Sequence, residues 1–184
     1  LFGLGSDVGG SIRMPAFFNG VFGHKCSAGL IPNSGQYPEG DGAAGTYLST
    51  GPIARRAEDL SMLVRILAGP HESDPNTKPI PLRDPNSVDL SRLRVLTVPD
   101  DGRTYVSPAL RDSQRSVASH LRSLGCKVEE RRFTRLKKAF DIWSSMLHAS
   151  QGTPFATLLA NHEEWKSLPE LAKLALRRSA HTLP

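Results

Sequence analysis

Residues 5–18 read GSDVGGSIRMPAFF, and this stretch decides more about the fold and chemistry of the chain than any other. It places the hydroxyl of Ser11 directly after two glycines. A serine becomes a strong nucleophile only when a base takes its proton, and acyl transfer also needs hydrogen-bond donors aimed at the new oxyanion. Because glycine has no Cβ, a substrate carbonyl can closely approach the N–H groups of Val8, Gly9, Gly10 and Ser11. The stretch therefore predicts a covalent-catalysis site with Ser11 as the nucleophile.

Two opposite charges, Asp7 and Arg13, flank the predicted nucleophile. An ion pair between them would fix the shape of the intervening loop. Their position beside the glycines favours that role over an exposed pair of little energetic value. Neither side chain fits the role of proton carrier, because an unperturbed aspartate titrates near about 3.9 and arginine stays charged.

Two other loop motifs are excluded. The G-x-G that begins at Gly3 has Val8 where a dinucleotide loop needs its third glycine, and no Lys-Ser/Thr pair follows as in a P-loop. Ser11 does not lie in a G-x-S-x-G elbow either, since Arg13 occupies the place of the last glycine.

The residues around this stretch predict short elements followed by one amphipathic helix. Residues 12–19 read as a short helical segment that ends at Gly20, and residues 21–25 as a short buried strand. Residues 56–68 carry an apolar stripe at helical spacing, have acidic residues in the first turn, and end at Gly69. The stripe consists of Leu60, Leu63, Val64 and Leu67.

The following segment predicts a second set of elements. Residues 70–85 contain repeated prolines and read as a surface loop. Residues 93–98 predict a strand, Ser107-Pro108 begins a helix that ends at Gly125, and residues 126–132 predict another strand. Strand, helix and strand in that order predict a parallel crossover. We therefore expect an α/β fold, with a mixed, mostly parallel sheet flanked by helices.

Apolar stripes continue towards the end of the chain, and we expect them to pack in the core rather than contact a substrate. One stripe consists of Leu136, Ala139, Phe140, Trp143 and Leu147, and further ones fall at 155–159 and 168–175. The same expectation applies to three residues that lie nearest to Ser11 and would otherwise border a substrate, namely Met14, Phe17 and Phe18.

Composition and charge limit the classes of protein to which the chain can belong. The 184 residues carry a net charge of +5 and no apolar run long enough to span a bilayer. The densest basic cluster is not a nucleic-acid motif, and we interpret it as a solvated strand end and helix start, with contact to an anionic membrane surface as the alternative. This cluster consists of Arg131, Arg132, Arg135, Lys137 and Lys138. The spacing of the cysteines and histidines predicts no disulfide framework, no metal site and an intracellular setting.

Two segments resemble a known family. GSDVGGSIRMPAFFNGVFGHK at 5–25 is similar to the second half of the amidase signature, and GPIARRAEDL at 51–60 resembles the segment that follows it. Residues 17–38 are most similar to the fatty acid amide hydrolase branch of that family. The resemblance implies the α/β/α fold of the family, no cofactor, and a serine hydrolase of carboxamides, here lipid-like. It matches Ser11 to the acylated nucleophile and the amides of Val8, Gly9, Gly10 and Ser11 to the oxyanion hole.

The resemblance also implies two catalytic residues that lie N-terminal to the motif, a lysine base and a second serine joined by a cis peptide bond. Without them Ser11 would keep its proton. We therefore expect residues 1–184 to be a partial amidase domain, cut at both ends and inactive alone, and we expect any membrane anchor to lie outside it. A rival within the chain is a Ser11–Lys25 dyad. Because Lys25 matches a separate family position, a structural Lys25 paired with a carboxylate or with backbone carbonyls is favoured.

Two further interpretations stay open. A glutamine-hydrolysing amidotransferase subunit would use the same nucleophile motif together with a companion protein, although residues 23–38 resemble the lipid-amide branch more. A noncatalytic amidase-like remnant would lack the upstream lysine and serine. The sequence specifies neither the acyl chain and amine of the substrate nor the oligomeric state.

Overall fold

The computed structural model describes residues 1–36 and 42–150. Two compact units are built on Leu1–Ile80 and on Pro81–Ala149. Both contain strands and helices, which confirms the α/β class. The first unit is an antiparallel sheet with two helices, and the second is a parallel strand pair with two helices. Parallel pairing, which the sequence predicted to dominate, is thus limited to the second unit within the described residues.

The first unit holds three strands in the order β1-β3-β2, with both pairs antiparallel. Its elements are β1 (Phe2–Asp7), α1 (Arg13–Phe18), β2 (Phe22–Gly23), β3 (Ser49–Ala54) and α2 (Ala57–Leu67). A 3-10 turn at Gly42–Tyr47 leads into β3. Pairing along β1 and β3 is continuous from Phe2 opposite Ala54 to Asp7 opposite Ser49, so the end of β1 is fixed against the start of β3.

Helix α2 confirms the helix predicted at 56–68. Glu58 and Asp59 lie in its first turn, where their charge favours the helix dipole. Leu63 and Val64 of the predicted stripe are buried. Val64 belongs to the buried core cluster of this unit, which consists of Cys26, Leu30, Ile31 and Val64 with Leu67 and Ala68 packed against it.

Helix α1 confirms the segment predicted at 12–19. It ends at Phe18, two residues before Gly20, whose φ of +62° favours glycine. The strand predicted at 21–25 is only two residues long, and its burial was predicted wrongly, because the Phe22 side chain is 49% exposed. The inward contact is made by Gly23 instead. A Cβ on this residue would lie 2.8 Å from the Ala16 Cβ and 2.9 Å from the Ile12 Cγ2, so the missing side chain lets α1 lie close to the sheet.

The second unit confirms the predicted parallel strand pair. Its elements are β4 (Arg94–Thr97), α3 (Pro108–Ser123), β5 (Lys127–Glu130) and α4 (Ala139–Ala149). β4 and β5 pair in parallel from Arg94 opposite Lys127 to Thr97 opposite Glu130. The predicted cap of α3 is present, since Ser107 Oγ accepts a hydrogen bond from the Leu110 N–H at 3.4 Å. Residues 70–85 form a loop, as predicted, with an isolated bridge between His71 and Asp74.

Both helices of the second unit are largely exposed within the described residues, so the expected core packing of the apolar stripe at 136–147 was wrong. On α3 only Ala118 is buried, and Val117 is exposed. On α4 no residue is buried, and Phe140 is 61% exposed. A two-stranded sheet offers too little apolar surface to cover two helix faces. The stripes predicted at 155–159 and 168–175 lie outside the described residues.

The basic cluster lies where the sequence predicted, between the end of β5 at Glu130 and the start of α4 at Ala139. Its residues are exposed, and Arg131 is paired with Glu129 at 2.9 Å. No helix in the described ranges is long and apolar enough to cross a membrane.

Candidate active site

The predicted nucleophile lies in a short loop, residues 8–12, that joins β1 to α1 and that we call the glycine loop. Ser11 is exposed, while its neighbours Gly10 and Ile12 are buried. Gly10 has a φ of +131°, and a Cβ there would lie 3.2 Å from the Met14 side chain. A backbone of this shape favours glycine, so Gly10 turns the chain at the point where it presents the serine hydroxyl to solvent.

The carboxylate of Asp7 holds the glycine loop from behind. Asp7 is fully buried, with 0% of the residue exposed. Its Oδ1 accepts a hydrogen bond from the Gly10 N–H at 2.7 Å. Its Oδ2 accepts from the N–H groups of Ile12 at 3.2 Å and Arg13 at 3.4 Å. One side chain therefore binds the loop on both sides of Ser11.

The predicted ion pair between Asp7 and Arg13 is present. Arg13 Nε and Nη2 donate to the two carboxylate oxygens at 2.9 and 3.0 Å, which is a bidentate geometry. Burial by itself raises the pKa of Asp7, but the hydrogen bonds from Arg13, Gly10 and Ile12 outweigh it and lower the pKa to about 2. Asp7 is therefore charged at neutral pH, and the pair is more than an exposed surface contact.

The four amides predicted as oxyanion donors differ in their partners. The Gly10 N–H already donates to Asp7. The N–H groups of Val8, Gly9 and Ser11 have no acceptor within residues 1–36 and 42–150. Within the described residues, three donors beside the serine are therefore without an acceptor, and the fourth shapes the loop.

The environment of Lys25 differs from both sequence interpretations. Lys25 Nζ donates to the hydroxyl of Ser49 at 3.2 Å, and no hydrogen bond joins it to Ser11 in the part of the chain that the structure describes. Among residues 1–36 and 42–150, Lys25 has none of the expected carboxylate or carbonyl partners, and its partner there is a serine on β3. Sequence reasoning missed Ser49, whose position depends on strand register.

The aromatic residues that follow Ser11 are outside the core. Phe17 and Phe18 pack edge to face with ring centroids 5.4 Å apart. Phe18 is 78% exposed, and Met14 and Phe17 are exposed as well. Core packing was therefore predicted wrongly for this outer face of α1. The alternative, an apolar border beside Ser11, fits the exposed positions.

Comparison with known proteins agrees with the resemblance of residues 5–25 and 51–60. A family model described as Amidase matches residues 1–181, so the chain belongs to the amidase family. It is 42% identical to fatty-acid amide hydrolase 2-A of Danio rerio, over 98% of this chain and 35% of the relative. It is 38% identical to fatty-acid amide hydrolase 2 of Homo sapiens, over 99% of this chain and 35% of the relative.

The fold is also similar to that of a solved amidase. The peptide amidase PAM, whose crystal structure holds the competitive inhibitor chymostatin, superposes with a TM-score of 0.67 at 18% identity, over 97% of this chain and 38% of that protein. At this identity the likeness concerns the fold. The chain spans about a third of the length of the curated relatives that it matches.

Proposed function

We propose that the chain is part of a serine amidase in which Ser11 is the nucleophile. The observation that carries this proposal is an exposed serine next to three amides that have no acceptor among residues 1–36 and 42–150, in a loop held by a buried carboxylate. Ser11 Oγ would bond to the carbonyl carbon of a carboxamide. The resulting oxyanion would accept hydrogen bonds from the amides of Val8, Gly9 and Ser11.

The amide C–N bond then breaks, and the proton from Ser11 leaves with the amine. Water next attacks the acyl carbon, the bond to Ser11 Oγ breaks, one proton of the water returns to that oxygen, and a carboxylic acid is released. Lys25 donates a hydrogen bond to Ser49, and within the described residues none joins it to Ser11, which supports a base other than Lys25. We propose that a lysine and a second serine outside these residues take the proton from Ser11, and that residues 1–184 alone are inactive.

The substrate we propose is a fatty acid amide. The relatives that align with almost the whole chain are named fatty-acid amide hydrolases, and the exposed face of α1 beside Ser11 offers an apolar border of the kind an acyl chain requires. An amidotransferase would instead need polar groups for the glutamine side chain at this face. A membrane surface as a partner, and an intracellular location, remain part of the proposal.

The test uses the complete parent protein with an alkyl fluorophosphonate and a long-chain fatty acyl amide. We expect covalent labelling and hydrolysis, both abolished in Ser11→Ala. Ser61→Ala is the matched control, because Ser61 is an exposed serine on α2. Retention of label and activity by Ser11→Ala would reject the nucleophile, while hydrolysis of glutamine in preference to the fatty acyl amide would reject the substrate class.

A further inference from the structure

We infer that Lys25 and Asn33 are positioning residues that fix Ser49 behind Asp7 and so set the placement of the glycine loop. The inference rests on the proposed function, because it concerns how Ser11 and its neighbouring amides are held. Lys25 and Asn33 act through Ser49 and do not contact the substrate.

Ser49 and Asp7 are partners across the sheet. They lie directly opposite each other at the last pair of the β1–β3 ladder. Ser49 is 2% exposed and Asp7 is fully buried. In a close-packed interior a shift of one partner displaces the other. The position of Ser49 therefore limits where the Asp7 carboxylate, and with it the glycine loop, can lie.

Lys25 holds the side chain of Ser49. Its Nζ donates to Ser49 Oγ at 3.2 Å across 24 positions of sequence. The neighbouring backbone is fixed as well, since the His24 N–H donates to the Pro52 carbonyl at 3.0 Å. The His24 carbonyl lies directly against Gly51, where any side chain would collide with it. The segment is thus attached to β3 through the Lys25 side chain and through the backbone of the preceding residue, His24.

Asn33 holds the backbone on either side of Ser49. Its Oδ1 accepts from the Thr50 N–H at 3.1 Å and from the Thr50 hydroxyl at 2.8 Å. Its Nδ2 donates to the Leu48 carbonyl at 3.4 Å. Asn33 is itself held, because its N–H donates at 2.8 Å to the buried carboxylate of Asp74. Ser49 is therefore fixed at its side chain by one residue and at both flanking peptides by another.

This arrangement predicts an effect on turnover rather than on substrate binding. A misplacement of about 1 Å at a reacting centre can cost roughly 100-fold in rate, whereas the exposed apolar border would still bind the acyl chain. Loss of the Lys25–Ser49 bond should therefore lower kcat by roughly 10- to 100-fold and change KM by less than about twofold. Because Lys25 is not the base, the midpoints of the pH–rate profile should not move.

The test measures kcat, KM, the pH–rate profile and the thermal midpoint of the complete parent protein with Lys25→Met. Lys78→Met is the matched control, because it makes the same change at an exposed lysine of the same unit. Lys25→Arg should restore part of kcat, since a guanidinium can also donate to Ser49. Ser49→Ala removes the acceptor and should lower kcat like Lys25→Met. It also provides the readout if the lysine variant does not fold. Asn33→Ala should act in the same direction.

Turnover of Lys25→Met or Ser49→Ala within twofold of the unmodified protein would overturn the inference, as would a change confined to KM or to the thermal midpoint. A loss as complete as that of Ser11→Ala, with a displaced pH profile, would make Lys25 the base and would also overturn it. If Ser11→Ala keeps full activity, the proposed function and this inference both fail. If only Ser11→Ala is inactive, the inference alone fails.

Discussion

Replacing the buried carboxylate of Asp7 should destabilise the folded protein. The two carboxylate oxygens accept five hydrogen bonds, three from main-chain N–H groups and two from the Arg13 guanidinium. Asp7→Asn keeps the shape of the side chain, removes the charge and replaces one acceptor oxygen by an NH₂ group. Whichever way the amide is oriented, at least two of the five donors then face another donor.

The stability lost in Asp7→Asn follows both from the lowered pKa of Asp7 and from its ion pair with Arg13. A pKa lowered from 3.8 to about 2 corresponds to roughly 2.5 kcal/mol of stabilisation in the charged form. Removing one partner of a buried ion pair costs about 3–5 kcal/mol, because it leaves the other charge and its donors unsatisfied. Since Arg13 itself is 56% exposed, the lower end of that range applies, and we expect a loss of about 3 kcal/mol.

The assay is urea unfolding of the complete parent protein, combined with labelling of Ser11 by the fluorophosphonate. Asp112→Asn is the control, because it breaks an exposed ion pair with Arg115 on α3 and should cost less than about 0.5 kcal/mol. In the absence of urea, where the protein is folded, Asp7→Asn should also slow the labelling of Ser11. If Asp7→Asn is as stable as Asp112→Asn, or labels at the unmodified rate, Asp7 does not organise the glycine loop.

Three further predictions concern stability. Because the pKa of Asp7 is lowered, its contribution is complete above about pH 4 and is lost as the pH falls through about 2, so acid unfolding followed by circular dichroism should show a weaker dependence in Asp7→Asn. Gly51→Ala should strongly lower the thermal midpoint measured by calorimetry, because the new Cβ collides with the carbonyl of His24. Gly3→Ala is the control and should leave the midpoint unchanged, because no atom lies within 4 Å of its new Cβ. Ser107→Ala removes the cap of α3 and should cost roughly 0.5–1 kcal/mol in urea unfolding; no measurable change would mean that the 3.4 Å contact contributes nothing.

The sequence predicted the elements that local rules determine. Helices α2 and α3 follow from apolar spacing and from end signals such as Ser107-Pro108 and Gly125, which act within a few residues. The ion pair of Asp7 and Arg13 was predicted for the same reason, since six positions separate the two residues. The parallel pairing of β4 and β5 follows from the order strand, helix, strand.

What the sequence did not predict depends on tertiary pairing. The bond between Lys25 and Ser49 exists only because residues 24 positions apart meet through the register of β3. The hydrogen bond from the Gly10 N–H to Asp7 depends on a positive φ at Gly10, which the amino-acid sequence alone does not specify. Apolar spacing predicts that a helix has an apolar face, but it does not predict what covers that face, and the exposed Phe140 and Phe18 are examples.

Because Gly23 packs closely against α1, one side of this six-residue helix faces the sheet and the other side is exposed. Ala16 on this helix and Ile12 just before it leave no room for a side chain at position 23, because even one added carbon there would collide with them. The opposite side, with Phe17 and Phe18, is free of such limits. If Ser11 is the nucleophile, as proposed, the outward residues can change while the backbone that carries Ser11 stays in place, so that substitutions that alter substrate contacts need not disturb the proposed chemistry.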